Sequence, residues 1–148
     1  MIIKEKNCYE IISALTIEDW QPLLDLIPQI EGVEKFGDST EAMKLFDQGI
    51  MVMNPYVEHE VVIKFRNIID SMPITIDFSW PTWEEGRDMA GDENFDFNTV
   101  DIITKCKVLT AFMRNDRFCA GALIGAFESG IILKILKSFR LQLNKANT

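Results

Sequence analysis

A chain of 148 residues, 47% hydrophobic and 26% charged, has the size and balance of one globular domain and excludes wholesale disorder. Its three cysteines, Cys8, Cys106 and Cys119, form no Cys-x-x-Cys pair, which excludes a zinc ribbon or dithiol redox motif and fits reduced thiols in a cytoplasmic protein. The net charge of −8 argues against nucleic acid as a partner, because phosphate contacts need concentrated Lys and Arg.

That charge is unevenly spread. Arg87 stands alone against eight acids over residues 77–101, while residues 102–148 carry eight basic groups against Asp116 and Glu128. The two regions could pair or drive self-association, or the charges could simply solvate outer helix faces. The opening Met1–Asn7 lacks the apolar run of a signal peptide, and no stretch reaches the roughly 20 apolar residues of a membrane span.

Helix start signals recur along the chain. Asn7-x-x-Glu10, Thr16-x-x-Asp19, Asp38-x-x-Glu41 and Asn98-x-x-Asp101 resemble capping boxes, in which a short side chain accepts from a free backbone N–H. A first helix is expected from Cys8 to Leu15. A second, Trp20 to Ile30, carries Trp20, Leu23, Leu24 and Ile27 on one face, with Pro22 in its first turn and Pro28 kinking or ending it. A short helix after Asp38 should stop at Gly49. The stripe Val61, Val62, Phe65, Ile68, Ile69 and Met72 predicts another between residues 57 and 72. The apolar runs 50–53 and 74–78 could pair as a two-stranded β element or serve as extended loops.

Pro81 opens a short helix through Trp83 and Arg87 that ends at Gly91. A longer helix from Thr99 to Arg114 follows, with Ile102, Cys106, Leu109 and Met113 as its stripe. Asn115-Asp116 is expected to break it and cap the next helix, which runs to Phe127. Gly130 turns the chain into a last helix with Ile132, Ile135, Leu136, Phe139 and Leu143 inward and Lys134, Lys137 and Arg140 outward. Cys106 and Cys119 are expected on apolar helix faces as small hydrophobes. The whole of residues 1–148 is expected to form a single, compact, mainly α-helical domain.

Few constellations carry chemistry. His59 is the only histidine, so multi-histidine metal sites are excluded and any Ser-His or Cys-His catalyst would have to use it. Its place between Glu58 and Glu60 suits a solvated or capping role better. Asp92-x-Asn94-x-Asp96-x-Asn98 begins like a calcium loop, but Phe97 and Ile103 occupy the places of the turn glycine and bidentate glutamate; turns and caps explain these residues better. Glu84 and Asp88 share a helix face without a motif that would select one as acid or base. The helix pair around Gly130 has helix-turn-helix spacing, yet its second helix is too apolar to present a reading face to DNA. Gly121 and Gly125, one turn apart, suit close packing within the monomer. No metal or cofactor is implied.

The best candidate for a recognition surface joins aromatic and arginine residues: Trp80, Trp83 and Arg87, with Arg114, Asp116 and Arg117 at the expected helix break. The structural alternative places both tryptophans in the core and pairs Arg117 with Asp116.

Arg114-Asn-Asp-Arg-Phe-Cys-Ala-Gly-Ala-Leu123 and Phe127-Glu-Ser-Gly-Ile-Ile-Leu-Lys-Ile-Leu136 resemble segments of an uncharacterised bacterial family of small helical domains. Phe78-Ser-Trp80, Trp83-x-x-Gly86 and Asn94-Phe-Asp-Phe97 extend the resemblance over residues 76–140. The family carries an Arg-x-Asp-Arg-Phe-x-x-Gly motif and is sometimes seen near macro domains, which handle ADP-ribose; no activity follows from such an association. Its members commonly have Glu where Ala120 stands, so this copy lacks that acid. The expectation is a non-catalytic interaction or accessory module with a protein partner or a second copy of itself. The alternative is a protein or enzyme binding a nucleotide or ADP-ribose-like molecule through Arg114 and Arg117.

Overall fold

The computed structural model describes residues 1–52 and 54–146. Strand β1 (Ile2–Lys4) leads through a 3-10 turn into α1 (Cys8–Ser13), α2 (Ile17–Leu24) and α3 (Leu26–Glu31). Strand β2 (Gly37–Asp38) precedes α4 (Thr40–Asp47), and β3 (Val57–Glu58) precedes α5 (Glu60–Ser71). Strand β4 (Thr75–Asp77) is followed by a 3-10 turn (Trp80–Thr82), α6 (Glu84–Gly91), a further 3-10 turn (Phe97–Thr99), α7 (Ile102–Phe118), α8 (Ala122–Glu128) and α9 (Ile131–Ala146). The architecture is mainly α-helical, and no helix among the described residues is long and apolar enough to cross a membrane.

Local chemistry accounts for many of the boundaries. Thr16 and Asp19 form the expected reciprocal box, with Asp19 N donating to Thr16 Oγ1 at 3.3 Å and Thr16 N to Asp19 Oδ2 at 2.8 Å. His59 caps α5, its Nδ1 accepting from Val61 N at 3.0 Å. Asp92 and Asp96 each close a turn by accepting from the backbone N–H two residues on. At α7 the cap is Asp101 itself, accepting from Thr104 N at 2.7 Å, rather than Asn98 three residues earlier.

Three helical expectations are corrected. The segment 17–31 is two helices with a break at Asp25, and Pro22 lies inside α2 while Pro28 sits in the first turn of α3. A proline in a first turn forfeits no helical hydrogen bond, so Pro28 starts a helix instead of ending one. The third correction is that α7 runs straight through Asn115-Asp116 to Phe118, and the chain breaks at Cys119–Gly121. Cys119 is therefore exposed and outside any helix, unlike the buried Cys8 and Cys106.

The strand at 74–78 exists, but its partner is not 50–53. β4 pairs in parallel with β1, in the register Ile2↔Thr75, Ile3↔Ile76 and Lys4↔Asp77. Residues 50–52 are exposed and form no strand, and Met53 lies outside the described residues. The second small sheet is antiparallel, β2 with β3, matching Gly37 to Glu58 and Asp38 to Val57. A parallel pair needs a long crossover, so no turn motif marks it in the sequence. The far edge of β4 is sealed by α7: Ile76 N donates to Thr110 Oγ1 at 3.1 Å, and that hydroxyl donates to Cys106 O at 2.8 Å.

The buried side chains form one continuous cluster. Its centre is aromatic: Trp20 packs on Phe139 at 4.9 Å between centroids, and Phe127 meets Phe36 at 5.2 Å and Phe65 at 5.1 Å. α9 supplies Ile132, Ile135, Leu136 and Phe139, all fully buried, with Lys134, Lys137 and Arg140 facing outward as the apolar period requires. One cation lies inside. Lys105 is fully buried, its Nζ donating to Ser138 Oγ at 2.6 Å and to Gln142 Oε1 and sitting 5.4 Å from the centre of the Phe139 ring. Burial pushes its pKa from 10.5 down to about 8.

Two glycines differ in kind. Gly121 takes φ +87°, and a Cβ there would meet the Tyr56 ring at 2.6 Å; Gly125, on the exposed side of α8, has nothing within 4 Å. Close packing thus holds for Gly121 and not for Gly125. Gly121→Ala is expected to cost about 2 kcal/mol in chemical denaturation, combining left-handed strain with the ring clash. Gly125→Ala should instead stabilise by about 0.5–1 kcal/mol through helix propensity.

Lys105 gives a pH signature. Its folded pKa lies below the unfolded value, so the penalty for burying its charge is complete below pH 8 and relieved as pH rises from about 8 to 10.5. Cys106 acts oppositely: burial pushes its thiol above the ordinary 9.0, so its contribution is lost as pH rises past that value. Because a Lys105→Met variant keeps Cys106 buried, the desolvation that dominates the thiol's behaviour is common to both proteins and largely cancels in their difference. The stability of the wild type relative to Lys105→Met should climb by about 3 kcal/mol across that window, read from denaturant midpoints. A difference that stays flat with pH would contradict the assignment.

Candidate functional site

The six residues singled out from the sequence divide between two opposite faces of α7. On one face, the Trp80–Thr82 turn and α6 lean against the helix and leave a cleft of about 380 Å³. Trp80, Trp83 and Arg87 line one wall, and Val108, Ala111, Phe112 and Asn115 of α7 line the other. Pro81 seeds the turn, its missing N–H costing nothing there. Trp83 folds back over the backbone of Gly86, where any Cβ would run into the indole, and it meets the Phe78 ring edge-on at 5.4 Å. Arg87 is held across the turn by donating from Nη2 to the Pro81 carbonyl.

Both of these tryptophans are half-buried, Trp83 packing against the edge of the core; the fully buried tryptophan is Trp20. Trp80 continues the aromatic surface outward by stacking on Phe118 at 6.3 Å and 27°, and Phe118 is 82% exposed. Aromatic area is thus left open to water beside a cleft lined mainly by apolar side chains. Around it, α6 displays Glu84, Glu85 and Asp88, all exposed and without an ion-pair partner among the described residues.

The other face holds Arg114, Asp116 and Arg117. With Met1, Ile2, Arg66, Asp70, Thr75 and Met113 they line a separate cavity of about 480 Å³ between α5, the β1–β4 pair and the end of α7. Asp116 does not pair with Arg117. Its Oδ2 accepts from Arg66 Nη2 at 2.8 Å, while Arg66 also grips Glu58 through two bonds of 2.5 and 2.6 Å. The fork on Glu58, reinforced by Asp116, holds the Arg66 guanidinium well above its ordinary range. The second oxygen of Asp116 accepts from Leu123 N at 3.0 Å, so it does cap the next helix, though from inside α7 rather than from a break. Arg114, half-buried, and Arg117, exposed, have no hydrogen-bond or ion-pair partner among the described residues.

Sequence reasoning missed Arg66, Glu58, Thr75, Phe112 and Phe118. Phe112 falls beside the apolar stripe of its helix, and Phe118 lies within the Arg114–Leu123 segment, where nothing local marks its exposure. Arg66 gives no local signal, since its partner Asp116 lies 50 residues away.

No curated protein and no solved structure matches the chain. A family model does, over nearly its whole length and well beyond the 76–140 segment whose motifs carry the resemblance. Residues 15–145 match the family of unknown function designated DUF6508, and the chain belongs to that family.

Proposed function

We propose that this chain is a non-catalytic, cytoplasmic interaction module whose docking site is the cleft between Trp80, Trp83, Arg87 and Phe112. The observation that carries the reading is the continuity of that cleft with the Trp80–Phe118 stack, whose outer ring is 82% exposed. Interface energy concentrates in tryptophan, tyrosine and arginine anchors that fill or line small pockets, and a cleft of about 380 Å³ suits one apolar or aromatic side chain from a partner. The carboxylates of Glu84, Glu85 and Asp88, exposed and without an ion-pair partner among the described residues, favour a partner segment whose anchor is flanked by Lys or Arg.

A second reading, a small-molecule ligand held by Arg114 and Arg117, is supported by a different observation. Both guanidinium groups border one cavity and neither is spent on a carboxylate among the described residues.

Selection from a displayed random-peptide library against the intact protein tests the first reading. Enriched peptides should share an aromatic or leucine anchor beside basic residues, and their affinity should fall at least tenfold on Trp83→Ala and severalfold on Phe118→Ser. Because Phe118 is almost fully exposed, its substitution leaves the fold in place and keeps the test decisive. Failure to enrich any motif, or equal binding to wild type and both variants, would sink the proposal. Light scattering on the same samples distinguishes a second copy of the chain as the occupant.

A further inference from the structure

We infer that the cavity beside the end of α7 binds a phosphate monoester carried on a hydroxylated, non-aromatic body, such as a phosphorylated polyol or sugar. The inference rests on the small-ligand reading of Arg114 and Arg117 and narrows it to one chemical class.

The charge argument comes first. Arg66 borders the same cavity, but its charge is consumed by Glu58 and Asp116. Arg114 and Arg117 are different: three residues apart on α7, they face the same space with their donors uncommitted among the described residues. Half-buried beside the cavity, the Arg114 guanidinium keeps donors open to solvent that a bound oxyanion can take up as a two-bond fork. Two forks match a dianion, and a phosphate monoester carries close to two negative charges at neutral pH. The ammonium of Met1 also borders the cavity, donating to the Asp70 carbonyl.

A neutral donor adds to the set. Thr75 is only 8% exposed and borders the cavity, yet its hydroxyl makes no hydrogen bond to any described residue. No buried side-chain oxygen or nitrogen among the described residues is both sealed off and unpaired, so this hydroxyl keeps some access to solvent on a residue that lines the cavity. There it can donate to a phosphate oxygen.

The rest of the lining decides what the phosphate is attached to. Among the described residues no aromatic ring borders this cavity; its apolar walls are Ile2 and Met113, and the stacking surfaces lie on the opposite face of α7. A nucleobase would find no platform here. The Asp70 carboxylate borders the cavity without a partner among the described residues, and as a pure acceptor it suits ligand hydroxyls. A volume of about 480 Å³ accommodates a compact ligand of this kind and no long chain. Arg117 in the last turn of α7 also offsets the negative helix end, but that explains neither Arg114 one turn earlier nor the free Thr75 hydroxyl.

Calorimetric titration of the intact protein tests this with α-glycerophosphate, ribose phosphate, adenosine monophosphate and glycerol as probes. The two non-aromatic phosphates should saturate one site, and glycerol should not bind. Affinity should fall at least tenfold in the Arg114→Gln/Arg117→Gln double variant and severalfold in Thr75→Val, and should be unchanged in Phe118→Ser. Arg117→Gln alone, at an exposed position that cannot disturb the core, should still lose about fivefold. If adenosine monophosphate binds through the arginines while both non-aromatic phosphates fail, the small-ligand reading survives and the assignment of ligand class is overturned. If no probe binds, or if binding is indifferent to the arginines, both are overturned.

Discussion

Asp116 serves two partners at once, and much of the architecture around the two candidate sites depends on it. One carboxylate oxygen caps α8 through Leu123 N, and the other meets Arg66, which is itself locked by a two-bond fork to Glu58. A single half-buried node thus ties α7, the start of α8, α5 and the β3 strand together. Such a node is stable only when every member is present, because a lone charge in that setting would keep its desolvation cost without compensation. Beside this node α7 continues past Asn115 to Phe118 as an unbroken helix, presenting different side chains to different cavities.

That continuity separates two chemistries that a local reading of the sequence would merge. With 3.6 residues per turn, Phe112 and Asn115 project toward α6, while Met113, Asp116 and Arg117 project toward α5 and the parallel strand pair. The aromatic cleft is apolar, rimmed by acids and open toward Phe118. Among the described residues the arginine cavity has no ring, a hydroxyl without a hydrogen-bond partner and two uncommitted cations. One helix serving as the shared wall leaves the two surfaces free to act independently.

The interior follows the same economy. Thr110 links α7 to β4 by accepting from Ile76 N and returning its proton to Cys106 O, so the strand edge facing the helix carries no unmet N–H. Lys105, one residue from Cys106, joins α7 to α9 through Ser138 and Gln142 and lies against Phe139, which packs on Trp20. A charged group is tolerated there because hydrogen bonds and a ring face replace part of the lost water.

Periodicity and capping made the helical class, the inward stripe of α9, the turn at Gly49 and the caps at Thr16 and His59 legible before any coordinates. These depend on interactions within a few residues, which a sequence displays directly. The six candidate residues stood out in the sequence only as types, since tryptophans and arginines are conspicuous by composition. Their grouping did not. Which side of α7 faces Trp83 and which faces Arg66 is a matter of how the helix packs on α6 and α5, and contacts such as Arg66 with Asp116 span 50 residues. The parallel pairing of β1 with β4 and the missing strand at residues 50–52 were likewise settled at long range, where the closing contacts leave no local trace in the chain.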